Sequence, residues 1–176
     1  FQGRKPKAAK CGMLFSGGVV EAVADFWGGL RVPLVVDPVL VSSSGVALLN
    51  TAGVRALKKR LLSMANLVTP NVPEAEKLSG TKIGEPEDLR TAARAIHEKY
   101  GCAVIITGGH LPGKEIAELF FDGREELLLI TPRLPGGPWR GTGCRFASAV
   151  AAGLAKGERL AEAVQLATEW VNGELH

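Results

Sequence analysis

Four scarcities narrow the field before any motif is considered. Cysteine is rare: Cys11, Cys102 and Cys144 are scattered along 176 residues and odd in number, which argues against a disulfide framework and fits a reducing, cytoplasmic setting. Histidine is equally rare. His97, His110 and His176 stand too far apart for a local metal motif, and no Cys/His spacing suggests zinc. Charge of one sign is missing too. The 21 basic residues are nearly matched by 18 acidic ones, for a formal net charge of +3. That balance is too mild to argue for nucleic acid or an anionic membrane as partner, and the basic runs Arg4-Lys5-Pro6-Lys7 and Lys58-Lys59-Arg60 read as solvated surface. No apolar run approaches the length of a membrane span, and no charged segment followed by an apolar one reads as an export signal.

What is present is a globular composition, 46% hydrophobic, in a chain long enough for one domain with its own core. Phe1-Gln2-Gly3 fits either native chain or the remnant of a cleaved purification tag and carries no weight. Residues 19–27 have helical spacing and end at Gly28-Gly29. Residues 32–37 form a continuous apolar run ending in Asp37, the signature of a buried parallel strand, whose C-terminal end is where open α/β sheets place ligands. Ser42-Ser43-Ser44-Gly45 reads as a polar loop able to cap a helix or touch substrate. An amphipathic helix with a basic outer face follows over 52–64, then a short strand over 66–69 and a turn through Pro70-Asn71-Val72-Pro73-Glu74. Glu85-Pro86-Glu87-Asp88 opens another helix, with proline and acids at its positive end; Leu89, Ala93, Ile96 and Tyr100 give its inner face. A second buried strand spans 102–107. Residues 116–121 and 126–130 read as a hairpin around Asp122-Gly123, and a last helix spans 160–175. The alternation of strand and helix predicts an α/β sandwich with a mainly parallel sheet.

One stretch organises the rest. After a loop rich in proline and glycine (Pro132, Pro135, Gly136, Gly137, Pro138), Arg140-Gly141-Thr142-Gly143-Cys144-Arg145 runs into an alanine-rich helical segment. Small residues leave backbone N–H groups bare at the helix start, where the dipole favours an anion. The same glycines also suit a tight loop-to-helix junction. Asp37, Asn71/Glu74 and Thr107-Gly108-Gly109 fall at predicted strand ends, and in a parallel sheet these clusters and the glycine turn line one edge. Carboxylates there can hold Mg²⁺ directly or through water, though Asp37 and Glu74 taken singly also suit structural caps or surface charges. Together the set suits phosphoryl transfer, which depends on positioning and charge neutralisation.

Five motifs then occur in a recognisable order: Val35-Val36-Asp37-Pro38-Val39, Thr69-Pro70-Asn71-Val72-Pro73-Glu74-Ala75-Glu76, Gly108-Gly109-His110, Asp122-Gly123 and Gly141-Thr142-Gly143-Cys144. With Gly12-Met13-Leu14 and the segment 151–157, they resemble the hydroxymethylpyrimidine/phosphomethylpyrimidine kinases of thiamine biosynthesis, members of the ribokinase-like superfamily close to pyridoxal kinases. The resemblance implies a ribokinase-like three-layer α/β/α sandwich. It implies ATP and Mg²⁺ as cofactors, a small pyrimidine as substrate, and transfer of the γ-phosphate to the pyrimidine's hydroxymethyl group and then to the monophosphate. Gly141, Thr142 and Gly143 become the anion hole. Cys144 takes the place of the catalytic base; a helix N-terminus can lower a thiol's pKa, and a small packing residue is the other reading. Asn71 and Glu74 act near the phosphates and Mg²⁺, Asp37 supports the metal, Thr107 and Gly109 sit beside the nucleotide, and Met13 and Val39 touch the pyrimidine.

Three features depart from the family pattern. The glycine-rich opening loop and the strands that supply much of the pyrimidine pocket, including a Gln, are not among these residues, which implies an N-terminally truncated chain. Such a chain exposes a sheet edge that favours a homodimer. Thr107 stands where the family has a phosphate-neutralising Lys, as in the pyridoxal kinase branch. Trp139-Arg140 and Arg145 flank the glycine turn, and either arginine could replace the missing cation. Two alternatives follow: a vitamin B6 kinase, or a non-catalytic homologue that binds nucleotide or a protein partner.

Overall fold

The computed structural model describes residues 5–42, 45–135, 137 and 141–174. Phe1-Gln2-Gly3-Arg4, Ser43, Ser44, Gly136, Pro138, Trp139, Arg140, Leu175 and His176 lie outside them. The elements run β1 (Ala9–Cys11), α1 (Gly17–Trp27), β2 (Leu34–Val36), α2 (Thr51–Ala56), β3 (Leu67–Val68), α3 (Val72–Ser79), α4 (Asp88–Tyr100), β4 (Ala103–Ile106), β5 (Glu115–Phe121), β6 (Glu126–Pro132), α5 (Thr142–Lys156) and α6 (Leu160–Gly173).

One six-stranded sheet has the order β1-β2-β3-β4-β5-β6. β1 to β4 are parallel; β5 and β6 return antiparallel as the hairpin expected around Asp122-Gly123. Asp122 Oδ1 accepts the N–H groups of Arg124 and Glu125 at 2.8 and 2.7 Å and closes that turn.

The period of two along each strand sorts the core into two layers. Leu34, Val36, Val68, Val104 and Ile106 face α1 to α4. Val35, Leu67, Ala103, Ile105 and Phe120 face α5 and α6. The result is a three-layer α/β/α sandwich. Among the described residues, no helix is long and apolar enough to cross a membrane.

The helix starts follow capping chemistry. Ser16 caps α1 and Asn50 caps α2, so the serine run at 42–45 is not the cap; Ser42 Oγ instead accepts the Val46 N–H at 3.0 Å. The helix expected over 52–64 is regular only to Ala56, then widens into a π turn at Leu57–Leu61 and tightens into a 3₁₀ turn at Leu62–Met64. This change of pitch lets Leu57, Leu61 and Leu62 all be buried. The basic run there is not simply solvated. Arg60 pairs with Glu21 and with Asp25 of α1, the latter at 2.7 Å, and Lys58 donates to the Lys77 carbonyl.

Candidate active site

Three consecutive parallel strands end in polar residues on one edge of the sheet: Asp37 after β2, Asn71 after β3 and Thr107 after β4. Asn71 and Thr107 are bridged in parallel register, and the Thr107 N–H donates to the Pro70 carbonyl at 3.0 Å. Asp37 lies two residues beyond Val35 and Thr69 two beyond Leu67, so both continue the face that carries α5 and α6.

α5 begins over this edge. Gly141 precedes it at φ 80°, a left-handed conformation that glycine adopts without cost. The Arg145 N–H closes the first helical bond, to the Gly141 carbonyl at 3.0 Å. The amides of Gly143 and Cys144, within the first turn, therefore have no partner within the helix.

On one side of this helix start lies a cavity of about 650 Å³. Asn71, Thr107, Gly109, Thr142 and Gly143 line its polar end. Ile116, Leu134, Phe146 and Val171 give it apolar walls. Arg133 shapes its rim: one guanidinium donates to the carbonyls of Gly109, Leu111 and Gly113 at 3.0, 2.5 and 2.9 Å, fixing the glycine loop after β4. Gly108 in that loop is packed so closely that a Cβ there would stand 1.7 Å from the Ala117 carbonyl oxygen.

On the other side lies a charged trio. Cys144 Sγ donates to Asp37 Oδ2 at 3.2 Å, and Lys10 Nζ sits 3.0 Å from the same oxygen. Desolvation and then the Asp37 hydrogen bond and charge push the Cys144 thiol up, against the pull of Lys10. The shift runs opposite to the lowering expected from the helix start: burial first, and the Asp37 carboxylate second, favour the protonated thiol. Met13 and Val39 follow β1 and β2 on this side, Met13 exposed and Val39 half-buried, and neither lines the cavity.

Two expected roles meet a different geometry. Glu74 is buried with both oxygens bound to backbone amides: Oε1 accepts from Leu40 at 3.1 Å and Oε2 from Asn71 at 3.0 Å. Asn71 Oδ1 accepts the Glu74 N–H in return, completing a capping box. Burial pushes this carboxyl up to about 7. Glu74 is a brace across the strand ends rather than an open carboxylate waiting for a cation. Arg145 points away from the phosphate end, bound to Glu174 at 2.8 Å and stacked over Trp170, and staples α5 to α6. Arg140 lies outside the described residues. Among the described residues, no group of three His, Cys, Asp or Glu side chains could hold a metal.

The structure also adds residues that sequence reasoning missed. Lys10 is a lone charge between Ala9 and Cys11 in β1, Glu118 is a lone acid in the apolar run of β5, and Arg133 sits in the loop approach. A charge inside an apolar strand was the available signal for the first two.

A mainly parallel sheet between two helix layers, with a glycine-started helix over its strand ends, places the chain among the ribokinase-like kinases. Within that class the chain belongs to the phosphomethylpyrimidine kinase family, whose model matches residues 1–176. It is 44% identical over 169 residues to the hydroxymethylpyrimidine/phosphomethylpyrimidine kinase of Streptomyces coelicolor, an alignment covering 96% of this chain and 62% of that protein. Its counterpart in Bacillus subtilis is 38% identical over 171 residues, with 95% and 62% covered. The chain thus spans about three fifths of the length of these relatives. Among solved structures, the Staphylococcus aureus pyridoxal kinase in complex with ADP superposes with a TM-score of 0.86 at 36% identity, covering 95% of this chain and 61% of that one. The Clostridium difficile phosphomethylpyrimidine kinase gives 0.83 at 30% identity, covering 97% and 70%.

Proposed function

We propose that this chain carries the phosphate-handling part of a kinase that uses ATP to phosphorylate 4-amino-5-hydroxymethyl-2-methylpyrimidine and its monophosphate in thiamine biosynthesis. The observation that supports it most is the Cys144–Asp37–Lys10 trio set back to back with the cavity across the first turn of α5. The cavity takes the nucleotide, with phosphates against Asn71, Thr142 and Gly143. The trio faces the acceptor hydroxyl. Because burial and the Asp37 hydrogen bond favour the protonated Cys144 thiol, the pair acts as a unit: the proton of the attacking hydroxyl ends on the Asp37–Cys144 pair, and Lys10 offsets the charge.

Mg²⁺ fits this edge in a restricted way. Thr69 Oγ1 is a buried hydroxyl oxygen without a partner among the described residues, on the strand next to Asp37. Thr69 and Asp37 would hold a cation that takes its other ligands from water and phosphate, and the ion would neutralise phosphate charge there. The reading includes a single domain in a cytoplasmic setting and a homodimer, in keeping with the exposure of Met13 and Phe15 beside β1.

The test is an assay of this chain with ATP and Mg²⁺, offering hydroxymethylpyrimidine, its monophosphate and pyridoxal in parallel and following ADP and product. Pyrimidine turnover is expected, falling about 100-fold in Cys144→Ala and Asp37→Asn, with ADP affinity unchanged in Cys144→Ala. Faster turnover of pyridoxal would move the reading to the vitamin B6 branch, which Thr107 and the S. aureus neighbour favour. ADP binding with no turnover of any acceptor would contradict catalysis by this chain and leave a nucleotide-binding homologue.

A further inference from the structure

Glu118 has no role in the account so far. It is the one acid among Ile116, Ala117, Leu119, Phe120 and Phe121 of β5. The register places it one step beyond the last β4–β5 pair, Ile106–Leu119, and therefore beside Thr107. It shares the face of Phe120, which packs towards α5 and α6, and it lines the cavity. Oε2 accepts the Thr168 hydroxyl of α6 at 3.3 Å. Among the described residues, Oε1 has no hydrogen-bond partner and no Lys, Arg or His forms an ion pair with the carboxylate. Burial pushes the carboxyl up to about 7, opposed only by the Thr168 hydrogen bond. An acid placed in an apolar-walled cavity without a cation is costly, and the free oxygen can accept a hydrogen bond from a ligand.

We propose that Glu118 is the acceptor for the ribose hydroxyls of the bound nucleotide. The inference rests on the cavity being the nucleotide site. Asn71 beyond β3, Thr107 beyond β4 and Glu118 within β5 form a row across three adjacent strands. Strands lie about 4.8 Å apart, so Glu118 stands roughly 10 Å from the phosphate end at Asn71, the distance of a sugar behind a short phosphate chain. A phosphate would be repelled there. A vicinal diol offers two O–H donors to the carboxylate, the same chemistry by which an acid reads ribose in dinucleotide-binding folds. The base is then left the apolar wall of Ile116, Leu134 and Val171.

Calorimetric titration of this chain with ADP, 2′,3′-dideoxy-ADP and IDP tests the proposal, using Glu118→Ala and, in case that variant folds poorly, Glu118→Leu. The wild type should prefer ADP over dideoxy-ADP by at least about tenfold, and the preference should fall to within about twofold in either variant. The ratio of ADP to IDP should stay unchanged, because the exocyclic amine is not the donor. A ribose preference that survives in both variants, or its absence from the wild type while ADP binds, overturns the assignment of Glu118 and leaves the nucleotide site standing. Collapse of the ADP-to-IDP ratio instead overturns it in favour of the base. Failure of the wild type to bind ADP at all overturns the nucleotide site and this proposal together.

Discussion

The two sides of the α5 start differ in how they are built. The cavity side is closed and heavily braced: β3 to β6 form its floor, α6 its far wall, and Arg133 ties three carbonyls of its rim. The β1–β2 side is open. There Met13 is 58% and Phe15 69% exposed, and Phe15 holds a left-handed φ of 63° that a bulky residue rarely adopts. Yet this open side carries a trio of charged and thiol groups at the helix start, Lys10, Asp37 and Cys144. The division assigns affinity for nucleotide to the closed side and turnover to the open one, so substitutions should separate the two properties.

The largest effect is expected where the closed side has no slack. Gly108→Ala brings a methyl against the Ala117 carbonyl, and overpacking on rigid backbone costs about 3 kcal/mol or more. Thermal unfolding should show a fall in Tm of about 6–12 °C; a Tm within a degree or two of wild type would mean that the rim is not rigid.

Next comes the brace between the two sides. Glu74 links Leu40, beyond β2, to Asn71, beyond β3, and its carboxyl titrates at about 7 in the fold against an ordinary 4.5. The folded state therefore binds the extra proton between these values. Stability is greatest below about 4.5 and is lost as pH rises through 7, by at most about 3 kcal/mol. Denaturant titrations from pH 4.5 to 8 should show this decline in the wild type and a flatter profile in Glu74→Gln. Equal slopes would remove Glu74 from the linkage.

The smallest effect tests a boundary. Arg145 belongs to the α5–α6 contact through Glu174 and Trp170. Arg145→Ala should cost less than about 1 kcal/mol and leave ADP affinity unchanged by titration. A tenfold weakening of ADP would return Arg145 to the phosphates.

Much of the layered fold was legible in the sequence because buried strands and amphipathic helices write their periods directly. Residues 102–107 and the inner face Leu89, Ala93, Ile96 and Tyr100 are examples, and all four of those side chains are buried. Asp37, Asn71 and Thr107 were legible as strand-end residues for the same reason. What stayed hidden depends on contacts between distant segments. Nothing near Glu74 in sequence announces the Leu40 amide, 34 residues away, that occupies one of its oxygens. The Asp37–Cys144 bond spans 107 residues, and with burial, the larger cause, it pushes the thiol up where the helix start alone suggests a lowering. The π turn at Leu57–Leu61 is also a tertiary outcome, set by which leucines the core accepts.

The central claim is that the α5 start separates a nucleotide side from an acceptor side. Titrating ADP into ¹⁵N-labelled protein and following backbone amide shifts tests it most directly. The account predicts the largest shifts at Asn71, Thr107, Gly109, Gly143 and Thr168, with Met13, Phe15 and Val39 nearly unmoved. Largest shifts at Met13, Phe15 and Val39, with the cavity residues still, would contradict it.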